Sequence, residues 1–178
     1  MPSISQEIIQ KYFEKGDKAK TTLDKGKALE DLICYLFEQV PGVSIGTRNI
    51  LSTFKSEEID VAFWNRPDAD GFYFLSNIIL VECKNWSKPV GSEEVNWFDS
   101  KLKRRGQLFG ILVATNGITG DSEKVEAAHE IIRVALSEGR RLIVITRNEI
   151  EQLQNTNQLV KLLQKKLCEL VVSGTLFM

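Results

Sequence analysis

The stretch ILVECKN, residues 79–85, decides the fold. An apolar run leads into Glu82-Cys83-Lys84 and stops at Asn85. Such a run reads as a buried strand. Residues two apart on a strand point to the same face. Glu82 and Lys84 therefore sit side by side, a carboxylate and an ammonium at the end of a buried element. Buried charges are costly unless they pair or bind metal, so this pair needs a reason. A metal-dependent hydrolytic centre supplies one.

Working outward, residues 43–54, 58–64 and 72–84 read as three successive strands. A stretch rich in turn formers, residues 65–71 (NRPDADG), separates the last two. Asp60 lies within the second strand, in EEIDVAFW. The midpoint between Asp60 and Glu82 is Gly71. A hairpin centred on the Asp70-Gly71 turn sets the two acids directly opposite one another, with Cβ atoms ~5 Å apart. Two carboxylates so close repel unless a proton or cation separates them. Mg²⁺ prefers one or two carboxylates plus waters and phosphate oxygens. Lys84, on the same face, can orient a water and offset phosphate charge.

Helices surround these strands. Residues 4–21 form an amphipathic helix with Ile4, Ile8, Ile9, Tyr12 and Phe13 on one side. A firmer helix spans residues 26–40, with Leu29, Leu32, Ile33, Leu36 and Phe37 as its apolar stripe and Pro41-Gly42 as its end. Glu30 falls at the edge of that stripe, within reach of a site at the sheet edge, and Asp31 points to solvent. Residues 92–105 form a helix capped by Ser92, with Glu93 and Glu94 in its first turn. Residues 108–114 suit a buried parallel strand. A helix over 121–138, capped by Asp121, ends at Gly139. Residues 142–146 are a short buried strand, and 149–170 are mostly helical. The order predicts an α/β protein with a mixed sheet flanked by helices on both faces.

The bulk composition limits the partners. The chain has 178 residues, 43% hydrophobic and 26% charged, with a formal charge of −1. That length fits one domain with its own core. The near-neutral charge means that any attraction to nucleic acid comes from a local patch or bound cations. No apolar run approaches ~20 residues, and the N-terminus lacks the layout of a signal peptide. The three cysteines, Cys34, Cys83 and Cys168, form no CxxC pair, which argues against structural zinc and a redox dithiol. A reduced, cytoplasmic chain is the expectation. The single histidine, His129, cannot build a His-metal cluster.

These residues carry a resemblance. GKALEDLICYLF, EEIDVAFW, IILVECKN and FGILVATNGIT resemble, in order, the opening helix, the Asp strand, the Glu-x-Lys strand and the following strand of the PD-(D/E)xK nuclease superfamily. The nearest group is that of Mrr-like restriction endonucleases. The resemblance covers roughly residues 26–145 and implies a restriction endonuclease-like core, with a helix added before it and helices after it, within one nuclease-like domain over 1–178. It implies a Mg²⁺-dependent (or Mn²⁺-dependent) phosphodiesterase acting on DNA. Asp60, Glu82 and the Cys83 carbonyl would be metal ligands, Lys84 the catalytic lysine and Glu30 a supporting acid. Two departures stand out. Ile59 occupies the position of the family's proline, and Mrr-type enzymes often carry Gln-x-Lys where this chain has Glu82-x-Lys84.

Each of these residues has a plainer reading. Glu82 and Lys84 read as a structural ion pair would leave Asp60 an unpaired acid. Lys101, Lys103, Arg104 and Arg105 end a helix, where cations suit the dipole and face solvent. Lys101, Arg104 and Arg105 are also candidates for phosphate contact, and Asn85 and Ser92 for substrate contact. Trp86 and Trp97 flank the region as packing residues or stacking platforms. Two other functions stay open: a non-catalytic nucleic-acid-binding module, and a nuclease subunit that needs a partner for targeting. A co-encoded protein would be that partner, and separately a homodimer would suit double-strand cutting, which often needs two sites.

Overall fold

The computed structural model describes residues 2–51, 58–119 and 122–174. Helix α1, Gln6–Lys18, is capped by Ser5, and α2, Thr22–Glu38, by Thr21. Sequence periodicity places the start of α2 at residue 26. The helix begins earlier because the Thr21 hydroxyl accepts the Asp24 N–H at 3.1 Å, satisfying a donor that the first turn leaves orphaned. Three strands follow, β1 Val43–Leu51, β2 Glu58–Asn65 and β3 Ile78–Lys84. Then come α3 Ser92–Arg104, β4 Phe109–Ala114, α4 Ser122–Ser137, β5 Arg141–Ile145, α5 Arg147–Glu151 and α6 Thr156–Ser173. The expected ends at Phe54 and the expected Asp121 cap lie outside the described residues.

The sheet has the order β1-β2-β3-β4-β5. The first three strands form an antiparallel meander, and β3-β4-β5 are parallel. The expected α/β architecture is what the chain adopts: a mixed sheet with helices on both faces. On one face Phe63 of β2 stacks on Phe37 of α2, with ring centroids 4.8 Å apart. On the other face α3 lies against β4 at Gly110. A Cβ built there would meet Leu102 Cδ1 at 2.7 Å and Phe98 Cζ at 2.9 Å. Glycine lets α3 approach the sheet closely, and this close approach brings its side chains within reach of β3.

Other boundaries also differ from the sequence reading. Strand β3 begins at Ile78 rather than Phe72, because residues 66–77 form a packed connection. Phe72 is fully buried beside Phe37, with centroids 5.4 Å apart. Buried Asn65 donates to the carbonyls of Phe72 and Ser76 at 2.9 and 3.1 Å. Side-chain bonds to these carbonyls take the place of a ladder. The cap of α3 is Gly91, so Ser92 is the first helical residue and makes no capping bond. The C-terminal helix is two helices, because Asn155 accepts the Gln158 N–H and starts α6 afresh. Among the described residues no helix is long and apolar enough to cross a membrane.

The close approach at Gly110 generates a test. Gly110→Val forces two branched methyls into space held by Leu102 and Phe98. Overpacking of this kind costs about 1–3 kcal/mol. Urea unfolding should show a lower midpoint for the variant, and an unchanged midpoint would contradict the packing described.

Candidate active site

The register of β2 on β3 places the two acids. Val61 pairs with Val81, Ala62 with Leu80 and Phe63 with Ile79. Continued by one residue, this register sets Asp60 opposite Glu82, as the Gly71 midpoint predicts. Beyond the last pair, the Cys83 N–H donates to Asp60 Oδ2 at 2.7 Å. The Asp60 carboxylate thus takes a backbone donor at the point where the ladder ends. Burial, and then the neighbouring Glu82 charge, push the Asp60 carboxyl up to about 7, against the lowering effect of the Cys83 bond and Lys84.

Glu82 is 2% exposed and meets two ammoniums. Lys84 Nζ lies 2.9 Å from Oε1. Lys101 Nζ, from α3, lies 2.9 Å from Oε1 and 2.8 Å from Oε2. The sequence reading places Lys101 in a cationic cluster that faces solvent or touches phosphate; instead its side chain is 5% exposed and directed at Glu82. Helical spacing explains the difference. Lys101 lies three residues after Phe98 and beside Leu102, on the buried stripe of α3. The signal was available as a lysine inside an apolar stripe. Burial alone would lower the Lys84 ammonium, but the Glu82 carboxylate and then Asp60 hold it above its ordinary value.

The same helix buries a second charge. Asp99 accepts from Arg140 Nε and Nη2 at 2.8 and 2.9 Å, a two-pronged contact with both residues under 10% exposed. Arg140 precedes β5, so this pair fixes α3 along the sheet and holds Lys101 over Glu82.

Glu30 reaches the site edge from α2, but a guanidinium meets it there. Arg48 Nη2 lies 3.4 Å from Glu30 Oε2 and 2.8 Å from Asp31 Oδ1. Asp31 also meets Lys15 at 3.4 Å, so it is engaged rather than solvated. Sequence reasoning missed Arg48 because a bulge aims it. Ile45 pairs with Phe63, Thr47 with Ala62 and Arg48 with Val61, a register shift at Gly46. Phe63 and Val61 face α2, so Ile45 and Arg48 both do. In a regular strand, residues three apart face opposite ways.

The remaining candidates lie around this centre. Asn85 Nδ2 donates to the Lys25 carbonyl at 2.9 Å, tying the end of β3 to α2. It borders a cleft of about 180 Å³ between α1, α2 and the loops after β3 and β4, whose lining includes Lys25, Trp86, Asn116 and Arg147. Thr115 donates its hydroxyl to the Trp86 carbonyl at 3.2 Å, so the Thr115-Asn116-Gly117 turn braces the segment after Lys84. Arg104 is exposed and its guanidinium lies 5.6 Å from the Trp97 ring centre. Arg105 donates back to the Lys101 carbonyl at 3.3 Å. Trp86 packs partly buried against the core, and the Lys84 ammonium lies 5.8 Å from its ring. Cys34 and Cys83 are buried core thiols, and Cys168 is exposed. Burial lowers the His129 imidazole on α4.

The donor chemistry fits a small, hard divalent cation. Among the described residues no three His, Cys, Asp or Glu side chains gather into a self-sufficient cage. Two carboxylates suffice for an ion that keeps its waters and takes the rest from substrate phosphate. Two ammoniums compensate Glu82, while burial and the Glu82 charge drive the Asp60 carboxyl toward its protonated form. The sign of its effect on stability follows. Its ordinary value is 3.8 and its folded value about 7, so the folded chain holds this proton more tightly. The resulting stability is full below 3.8 and is lost as pH rises through about 7. Asp60→Asn should remove that loss and be more stable than the wild type at pH 8 in urea without added metal. Parallel pH profiles would remove Asp60 as the cause.

No curated protein matches the chain. A family model described as a restriction endonuclease, Mrr_cat, matches residues 24–146. The matched segment opens with α2 and closes just after β5, so it contains Glu30, Asp60, Glu82, Lys84 and Lys101 in one span. The chain belongs to the Mrr_cat restriction endonuclease family.

Proposed function

We propose that this protein is a Mg²⁺-dependent endonuclease that hydrolyses phosphodiester bonds in DNA. One observation carries the reading: the β2–β3 register sets Asp60 against Glu82, with the Lys84 ammonium on the same carboxylate. Asp60, Glu82 and the Cys83 carbonyl would hold Mg²⁺ or Mn²⁺. A cation bound there supplies charge neutralisation at the scissile phosphate and a more acidic water. Asp60 loses its proton near neutral pH, which readies it as a ligand under working conditions. Lys84 is the more exposed of the two lysines on Glu82, at 23% against 5%. From there its ammonium can pass to the phosphate and offset the charge that develops on attack. Glu30, its charge balanced by Arg48, supports the site from α2.

Asn85 and Ser92 border the approach to the centre, and Arg104 and Arg105 offer phosphate contacts at the C-terminal end of α3. The formal charge of −1 leaves little general attraction to a polyanion. That favours a second reading of the same chemistry, in which a second copy or a co-encoded targeting protein supplies DNA affinity. Restriction, defence or repair in the cytoplasm are the settings that fit.

The site distinguishes its own variants. Asp60→Ala and Lys84→Ala should each lower Mg²⁺-dependent cleavage by at least about 10²-fold while melting cooperatively. Glu82→Ala should lose both activity and about 3–5 kcal/mol of stability, because Lys101 stays buried without its counter-charge. Plasmid cleavage and thermal melts read both effects, and full cleavage by Asp60→Ala would sink the mechanism. Mg²⁺ affinity, measured by calorimetry, should rise with pH up to about 7 and level off above it, as Asp60 loses its proton. Affinity that does not change between pH 5 and 8 would remove Asp60 from the ligand set.

A further inference from the structure

The Asp and Glu-x-Lys pattern has no role for Lys101, yet its ammonium straddles both oxygens of Glu82 at 2.9 and 2.8 Å. We propose that Lys101 is a positioning residue that holds Glu82 in place and competes with the divalent cation for that carboxylate, thereby setting the cation concentration at which the site fills. The proposal rests on the metal-nuclease reading above.

The competition follows from lone pairs and charge. An ionised carboxylate offers about four acceptor positions, and Lys84 and Lys101 make three contacts with Glu82. A fixed positive charge beside a ligand oxygen also repels an incoming cation, the more so away from water. Lys101 cannot escape by moving its helix. The Asp99–Arg140 pair holds α3 along the sheet, and Leu102 and Phe98 press against Gly110. An arriving cation therefore has to share Glu82 with the ammonium or push Nζ aside on its long stem. Lys101 also has a consequence for Lys84. With Lys101 keeping Glu82 compensated, Lys84 can leave for a phosphate without stranding a buried carboxylate.

The test removes the charge and keeps the stem. Mn²⁺ binding is measured by calorimetry, without DNA, on wild type, Lys101→Met and Lys101→Gln. Lys103→Met is the control, since Lys103 is 63% exposed and contacts Glu138. Both Lys101 variants should bind Mn²⁺ at least about tenfold more tightly than wild type, with Lys103→Met unchanged. Their cleavage should reach half its maximum at correspondingly lower Mn²⁺. A variant too unstable for calorimetry is read by the Mn²⁺ concentration that raises its melting temperature, which reports the same affinity. Equal or weaker binding in the Lys101 variants overturns the proposal. A wild type that binds no Mn²⁺ overturns instead the metal-nuclease reading on which it rests.

Discussion

The structure depends on keeping one carboxylate charged beneath a helix. Glu82 is almost without access to water, and an isolated ion there would cost several kcal/mol. The cost is offset because two ammoniums meet it, one from its own strand and one from α3. That requirement fixes much of the surrounding architecture. Gly110 lets α3 come close enough, Asp99 and Arg140 set its position along the sheet, and the parallel β3-β4 pair supplies the floor beneath it. Removing any of these loosens the partner of a buried charge rather than an ordinary apolar contact.

Asp60 is the counterpart that the lysines do not satisfy. It is largely buried and lies opposite a like charge, so its carboxyl is pushed up to about 7 despite the lowering effect of the one backbone N–H it accepts. A purely structural ion network would neutralise all its members. Here two ammoniums meet Glu82 while Asp60 takes a backbone N–H, an asymmetry that fits the proposed cation site. With its carboxyl held up to about 7, Asp60 makes the site sensitive to pH near neutrality.

Around this centre, charge is balanced locally at each step. Arg48 meets Glu30 and Asp31 on the α2 side, and Arg140 meets Asp99 on the far side of α3. Lys166, 2% exposed, meets Glu149 at 2.7 Å, and Glu149 also completes the capping box of α5. The formal charge near zero is thus assembled from opposed pairs.

The local sequence determined the strands, the helix order and the acid pair. The strand-like EEIDVAFW, the apolar run of β3 and the midpoint at Gly71 pointed to Asp60 opposite Glu82, and the packed connection over residues 66–77 preserves that register. Helical periodicity likewise located the buried stripe of α2. Tertiary structure alone decided the partners of those acids. Lys101 is remote from Glu82 in sequence, and only the packing of α3 on Gly110 brings it there. Arg48 faces α2 only because a bulge at Gly46 flips one half of β1. Short-range periodicity reports which face a side chain takes. Which charge meets it across the core depends on how whole elements pack, and that information is spread over residues far apart in the chain.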